Sequence, residues 1–129
     1  AIPEGDDWRV TIVGYDYPGE LSLIAGLLFL HGFDIVEAED AHGALAVVLD
    51  AALEPDVVML DLKLPDSDDL SLLAAVRRIL PRVPVILMTA YGTTQTAIEA
   101  MKLGAYDYIG KPFDTDEVLL VVQKALEAL

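Results

Sequence analysis

The sequence predicts an α/β domain in which a parallel sheet is covered by helices on both faces. Three observations lead to this fold class. Five short apolar runs rich in β-branched residues alternate strictly with five segments of helical periodicity. The third and fourth runs are apolar nearly throughout, as is typical of strands buried on both sides. Finally, the 129 residues suit one domain with a substantial core, and no repeat or linker divides residues 1–129.

The first half of the chain supplies three strands and two helices. VTIVG at 10–14 is the first predicted strand, and a helical segment at 19–32 follows it and ends in a glycine. DIVEAE at 34–39 alternates apolar and acidic residues, as a half-buried strand does. A second helical pattern covers 42–53, and DVVML at 56–60 is the third strand.

The second half repeats this alternation. The helical segment 68–80 ends before a proline, which cannot continue a helix. VPVILMT at 83–89 is the fourth strand, and the helix predicted at 93–105 has a glycine as its C-terminal cap. YDYIG at 106–110 is the fifth strand. The last helix, 114–129, has acidic residues in its first turn, where they favour the helix dipole.

Charge and composition exclude several classes of function. Residues 1–60 hold twelve acids and one base, for a net charge of −11, and residues 61–129 add −3, giving −14 in all. The chain has no basic stripe for binding phosphates, so we expect no direct contact with nucleic acid. The longest apolar stretch, 23–30, is far shorter than the roughly 20 residues of a membrane helix. Because the chain has no cysteine, disulfides and thiolate metal sites are excluded, which fits a cytoplasmic protein.

Polar residues stand at or just after the ends of four predicted strands. We expect right-handed crossovers and the flavodoxin-like (βα)5 order 2-1-3-4-5, in which the first and third strands are neighbours. Ligands of such doubly wound sheets bind beyond the carboxyl ends of the strands. The residues at that edge are Asp16, Asp61, Thr89 and Lys111. We therefore expect two neighbouring carboxylates, a hydroxyl and an ammonium group at one edge of the sheet.

Three segments at this edge resemble the receiver domains of bacterial two-component response regulators, especially those of enhancer-binding transcription activators. PDVVMLDLKLPD resembles the phosphoacceptor segment of the family, VPVILMTAYG its Thr/Ser-Ala segment, and GAYDYIGKPF its aromatic-x-x-Lys-Pro segment. The similarity covers roughly residues 9–128. It implies that a histidine kinase phosphorylates the domain, which then changes conformation to regulate an output domain or a partner protein, with transcription as the expected output.

The resemblance implies that Asp61 accepts the phosphoryl group and that Mg²⁺ is the cofactor. The ion would be held by Asp16, Asp61 and the backbone carbonyl of Lys63. Attack of a carboxylate on a phosphoryl group brings anions together, so the barrier is largely electrostatic. A magnesium ion bound between them offsets that repulsion. Such a domain is regulatory rather than an enzyme, although it can catalyse its own phosphorylation and dephosphorylation.

The resemblance also implies roles for Thr89, Lys111 and Tyr108. Thr89 would bind the phosphoryl group and Lys111 would pair with its charge, so that both stabilise the transferred group. Thr89 and the aromatic Tyr108 would form the conformational switch. Tyr15 stands where the family usually has a second acid beside Asp16, so we expect weak Mg²⁺ binding. A degenerate receiver that works as a phosphorylation-independent protein-interaction module is therefore the alternative function.

Two other classes of protein share the predicted fold, but this chain lacks the chemical groups that each of them needs. A flavodoxin-type cofactor binder needs a loop rich in Ser, Thr or Gly after the first strand, where this chain has GYDYPGEL. A phosphohydrolase with an aspartate nucleophile usually has a second acid two residues later, and that position holds Lys63. We therefore expect no organic cofactor.

The first and last helices are more apolar than one core-facing stripe requires. Leu23, Phe29 and Leu30 fall outside the stripe of the first helix, and residues 118–122 form an unbroken apolar run in the last. Contiguous exposed apolar surface usually marks a contact with another protein. We therefore expect a homodimer formed through the first helix, the last helix or both.

Overall fold

In the computed structural model the chain forms a five-stranded sheet with the order β2-β1-β3-β4-β5. The structure describes residues 8–15, 20–62, 64, 66, 70–89, 94–110 and 113–128. The strands are β1 (Arg9–Val13), β2 (Asp34–Ala38), β3 (Val57–Asp61), β4 (Val85–Thr89) and β5 (Asp107–Gly110). All neighbouring strands are parallel. The predicted flavodoxin-like order is confirmed.

Helices cover both faces of this sheet. They are α1 (Glu20–Leu30), α2 (Ala41–Val48), α3 (Ser71–Ile79), α4 (Thr94–Lys102) and α5 (Thr115–Glu127). Apolar residues of α1 and α5 pack on one face, and those of α2, α3 and α4 pack on the other. Within the described ranges, no helix combines the length and the apolar character that crossing a membrane requires.

The central strands divide the core between these two faces. Every residue of β3 and β4 is buried. Side chains alternate along a strand, so Val57 and Met59 face α1 and α5, whereas Val58 and Leu60 face the other three helices. The apolar runs in the sequence are therefore strands covered on both sides, as predicted.

Two helices end at the glycines that the sequence suggested. Gly32 and Gly104 have positive φ angles of 89° and 98°, which L-residues with a side chain rarely adopt. After α1, the N–H of Gly32 donates to the carbonyl of Phe29 (3.0 Å) and that of Phe33 to the carbonyl of Leu28 (3.1 Å). The end of α4 has the same pair of bonds, so both helices close in the Schellman arrangement.

The second helical segment differs from the prediction of one helix over 42–53. In the structure α2 ends at Val48, and a separate 3₁₀ turn covers Ala51–Leu53. The reason is Asp50, whose carboxylate accepts the N–H of Ala52 at 2.9 Å and caps the new turn. An aspartate that can bond the nearby backbone competes with continuation of the helix.

Strand β2 forms one edge of the sheet and carries acidic residues on its exposed positions. Asp34 and Glu37 are exposed, and both lie in β2. Asp34 forms an ion pair with Arg9 of β1, with 2.7 Å between Nε and Oδ2. The Arg9 guanidinium also donates to the carbonyl of Ala52 at 2.8 Å. Arg9 therefore ties the amino-terminal ends of β1 and β2 to the turn that precedes β3.

Candidate functional site

Asp61 is the last residue of β3. The sequence predicted a strand over 56–60, so the observed strand begins and ends one residue later. The ladder continues because Asp61 pairs with Met88 of β4, and the N–H of Leu62 donates to the carbonyl of Met88 at 3.2 Å. Asp61 is only 4% exposed, in a strand whose other residues are all apolar. The sheet therefore holds this carboxylate on a rigid support.

Gly14 lies beside Asp61 on the neighbouring strand. Its N–H donates to the carbonyl of Ala38 at 2.9 Å, which extends the ladder past the end of β1. A Cβ atom added at Gly14 would lie 3.4 Å from the Cβ of Asp61 and would collide with the side chain of Leu21 in α1. Glycine at this position therefore lets the Leu21 side chain of α1 pack directly against the end of β1. The prediction overlooked Gly14, although a glycine at the end of an apolar run is the usual signal for close backbone approach.

Thr89 ends β4 and is also buried, with 9% of its surface exposed. It follows Met88, the partner of Asp61, so it stands one residue further toward the carboxyl edge, roughly 3.3 Å along the strand. The structure thus brings Asp61 and Thr89 to the same edge on adjacent strands, as the sequence predicted.

Tyr108 lies on β5, next to the strand that carries Thr89. Leu87 pairs with Tyr108 and Thr89 pairs with Gly110. Tyr108 is 47% exposed, whereas Leu87 is buried. Tyr108 therefore lies at the surface, two residues before Gly110, the residue of β5 that pairs with Thr89.

Three of the predicted site residues, Asp16, Lys63 and Lys111, lie outside the described residues. Their roles stay predictions. Among the residues that the structure describes, no three His, Cys, Asp or Glu side chains converge as metal ligands. The expected donors are nonetheless all oxygen atoms, which suit Mg²⁺, and the Asp61 carboxylate lies at the carboxyl edge of the sheet. The described part of the site therefore fits a magnesium ion.

The loop after β3 contributes a carboxylate that the prediction did not single out. Asp66 accepts the N–H of Ala41 on Oδ1 at 2.7 Å and the N–H of His42 on Oδ2 at 3.1 Å. Both donors belong to the first turn of α2. The hydrogen bond from Ala41, with help from that of His42, holds the pKa of Asp66 below its usual value of 3.8.

A second carboxylate caps the same helix from the residue directly before it. Asp40 precedes α2 and accepts the N–H of Gly43 at 2.6 Å. The first N–H groups of a helix have no partner within the helix. Asp66 and Asp40 together satisfy three of them, those of Ala41, His42 and Gly43.

Comparisons with known proteins agree with this arrangement. A family model described as the response regulator receiver domain matches residues 12–123. Over 119 residues the chain is 45% identical to the regulatory protein AtoC of Escherichia coli (strain K12), covering 92% of this chain and 25% of AtoC. It is 44% identical over 98 residues to the DNA-binding transcriptional regulator NtrC of Proteus hauseri, covering 76% of this chain and 18% of NtrC. This chain thus spans a quarter or less of these two proteins.

A solved structure matches over its whole length. The crystal structure of the receiver domain of NtrX from Brucella abortus superposes with a TM-score of 0.83 and is 37% identical in sequence. The match covers 93% of this chain and 99% of that one. The likeness therefore extends over nearly the whole of this chain.

Proposed function

This chain belongs to the response regulator receiver domain family, and from that premise we propose that Asp61 accepts a phosphoryl group from a histidine kinase. The observation that carries the proposal is the position of Asp61, 4% exposed at the end of an otherwise apolar strand. This position is where ligands of such parallel sheets bind, beyond the carboxyl ends of the strands. The neighbouring Thr89 places a hydroxyl at the same edge.

The proposed transfer uses groups of this chain in defined roles. One carboxylate oxygen of Asp61 attacks the phosphorus of a phosphohistidine, and the phosphorus–nitrogen bond breaks. The electron pair of that bond stays on the imidazole of the kinase, and the product is an aspartyl phosphate. The Thr89 hydroxyl donates to a phosphoryl oxygen and the Lys111 ammonium balances its charge. Because β3 and β4 fix Asp61, little reorganisation is needed before the attack.

Mg²⁺ is the cofactor in this proposal, held by Asp16, Asp61 and the backbone carbonyl of Lys63. When bound, the ion offsets the repulsion between the attacking carboxylate and the phosphoryl oxygens. The support comes from the chemistry of the donors, which are all oxygen atoms, and from the position of Asp61 at the carboxyl edge of the sheet.

We propose that the receiver controls a transcriptional output in the cytoplasm. NtrC of Proteus hauseri is a DNA-binding transcriptional regulator of which this chain covers 18%. A receiver of this kind acts on an output domain or a partner protein, and Thr89 and Tyr108 would transmit the phosphorylated state. The alternative, a phosphorylation-independent interaction module, needs neither the burial of Asp61 nor that of Thr89.

Labelling with a small phosphodonor tests the proposal. With acetyl phosphate and Mg²⁺, we expect wild type to gain the mass of one phosphoryl group and Asp61→Asn to gain none. Asp34→Asn is the matched control, because Asp34 is an exposed aspartate at the amino-terminal end of β2, the end of the sheet opposite Asp61, and should leave labelling intact. Equal labelling of wild type and Asp61→Asn would exclude Asp61 as the acceptor, and an unlabelled wild type would favour the interaction module.

We also propose that the domain forms a homodimer through its apolar helices. Leu23, Phe29 and Leu30 of α1 are 71%, 70% and 83% exposed, and Leu120 of α5 is 51% exposed. These residues belong to the surplus that the sequence predicted, whereas Val118, Val121 and Val122 of the run in α5 are buried in the core. Such an uncharged apolar patch suits self-association in a chain whose net charge is −14.

Light scattering at micromolar concentrations tests the dimer. We expect Phe29→Glu to give the mass of a monomer, because it places a charge in the proposed contact. Leu49→Glu serves as the matched control, since Leu49 is also exposed, at 67%, but follows α2 on the opposite face of the sheet. The same mass for wild type and Phe29→Glu would remove α1 from the interface.

A further inference from the structure

The loop between β3 and α3 is fixed at two points close to Asp61. The N–H of Leu62 donates to the carbonyl of Met88 at 3.2 Å, which keeps the start of the loop on the sheet. Two residues later the side chain of Leu64 is buried at 8% exposure among the residues facing α2 and α3. Lys63, whose carbonyl is the expected metal ligand, stands between them in the sequence.

Asp66 supplies a third anchor of a different kind. Burial of Leu64 is a non-directional interaction and does not by itself fix the orientation of the adjacent peptide groups. The Asp66 carboxylate instead makes two hydrogen bonds of 2.7 and 3.1 Å to successive N–H groups of α2, and hydrogen bonds are directional. The helix is itself held in place, because Ala44 and Val48 are buried against the sheet.

Helix α2 has a cap of its own. This indicates that the hydrogen bonds of Asp66 mainly hold the loop in place. Asp40 already accepts the N–H of Gly43 at 2.6 Å, in the ordinary N-cap position. Asp66 lies 25 residues after Ala41 in the chain. A carboxylate so distant in sequence joins two segments that local structure would leave independent.

We propose that Asp66 is a positioning residue for the magnesium site, because it fixes the far end of the β3–α3 loop on α2 and so orients the Lys63 carbonyl. This inference rests on the proposed function, since it assumes that Lys63 contributes a ligand. Groups that orient metal ligands commonly affect metal affinity tenfold or more. Asp66 acts through three residues of loop, so its effect should lie near the lower end of that range.

The test compares Asp66→Ala with Asp40→Ala, which removes a carboxylate from the same helix end but not from the loop. In a magnesium titration followed by calorimetry, we expect Asp66→Ala to bind about tenfold more weakly than wild type. Asp40→Ala should bind like wild type although it also weakens α2. Asp66→Asn, which keeps one acceptor oxygen, should fall between wild type and Asp66→Ala and guards against misfolding of the alanine variant.

A second readout needs no metal. Amide hydrogen exchange in the metal-free protein should accelerate at Leu62 and Leu64 in Asp66→Ala and stay unchanged there in Asp40→Ala. Equal affinity and equal exchange in the two alanine variants would overturn the positioning role while leaving the phosphoacceptor function in place. A wild type that neither binds Mg²⁺ nor accepts a phosphoryl group would overturn the proposed function, and this inference with it.

Discussion

Thr89 and Tyr108 point from the same face of two adjacent strands. Thr89 pairs with Gly110, and Leu87, two residues before Thr89, pairs with Tyr108. Because side chains alternate along strands, the paired residues and those two positions away share a face. A Cβ atom added at Gly110 would have no neighbour within 4 Å among the described residues. Among the described residues, nothing therefore fills the position beside Thr89 on the face from which Tyr108 projects.

The first prediction concerns this pair. We expect a beryllium fluoride mimic of the phosphoryl group to shift the ring signals of Tyr108 in wild type, as the aromatic side chain moves toward Thr89. Thr89→Ala should still bind the mimic but lose most of that shift, because the hydroxyl that links the two is missing. Thr89→Ser keeps the hydroxyl and should retain it. NMR with labelled tyrosine makes the measurement, and an undiminished shift in Thr89→Ala would show that Thr89 is not the link.

The second prediction concerns Tyr15, which is 52% exposed and precedes Asp16. Replacement by aspartate adds a negative charge beside the expected metal ligand. We expect Tyr15→Asp to bind Mg²⁺ about tenfold more tightly, which corresponds to roughly 1.4 kcal/mol of added attraction. Tyr15→Asn is the uncharged control and should change the affinity little. Calorimetric titration of both variants decides, and equal affinities would mean that position 15 does not contact the ion or its water.

The third prediction concerns a hydroxyl inside the sheet. Thr11 of β1 is fully buried, and its Oγ1 has no hydrogen-bond partner in the described structure. Valine has the same shape without the unsatisfied group, so Thr11→Val should raise the free energy of unfolding by about 1 kcal/mol. Thr11→Ser keeps the hydroxyl and loses a methyl group, so it should lower that free energy by about 1 kcal/mol. Urea denaturation compares the three proteins, and a less stable Thr11→Val would indicate a partner for the hydroxyl.

The fourth prediction pairs one substitution at two glycines. Gly26 lies within α1, and an added Cβ would meet no atom within 4 Å, so Gly26→Ala should stabilise the fold by about 1 kcal/mol. Gly104 has a φ of 98°, and an added Cβ would lie 2.9 Å from Nε of Arg77. That guanidinium is held by hydrogen bonds to the carbonyls of Val83 and Pro81. Gly104→Ala should therefore destabilise by about 1–2 kcal/mol, and thermal unfolding that ranked the two variants in the opposite order would contradict both assignments.

The fifth prediction concerns acid. Hydrogen bonds from the N–H groups of Ala41 and His42 lower the pKa of Asp66 in the folded state. Its contribution to stability is therefore complete above the pKa of the unfolded chain, about 3.9, and is lost as pH falls through the lower folded value. The stability difference between wild type and Asp66→Asn should stay constant above about pH 5 and shrink in more acidic solution. Denaturant unfolding at several pH values measures this stability difference. A difference that grew in acid would contradict the lowered pKa of Asp66.

The sequence predicted the sheet, and with it the common edge where Asp61 and Thr89 lie, because the strands depend on local patterns. Runs such as VVML and VILM are long enough and apolar enough to indicate buried strands. Once those strands are parallel, Asp61 and Thr89 must lie at one edge, since the carboxyl ends of parallel strands point the same way. The glycines at the ends of α1 and α4 were predictable for a similar reason.

The sequence could not indicate features that depend on competing interactions or on contacts between residues far apart in the chain. The helix predicted over 42–53 divides at Asp50 because a side-chain hydrogen bond there outweighs helical propensity. The extension of β3 through Asp61 depends on its pairing with Met88, not on its own preference. The contact of Asp66 with Ala41 joins positions 25 residues apart, and its loop sequence reads equally well as a solvated acidic turn.

The acidic side chains of β2 have a consequence for how copies of the domain can meet. An edge strand offers unpaired backbone groups to any other strand, and exposed charge on it is a common protection against such pairing. Glu37 places an exposed negative charge on β2, whereas the charge of Asp34 is paired with Arg9 of β1. Two copies that paired through β2 would both bring a Glu37 charge to the shared edge, so a continuous sheet through β2 is disfavoured. This edge of the sheet thus favours assembly through the helical faces, where Leu23, Phe29 and Leu30 of α1 are exposed.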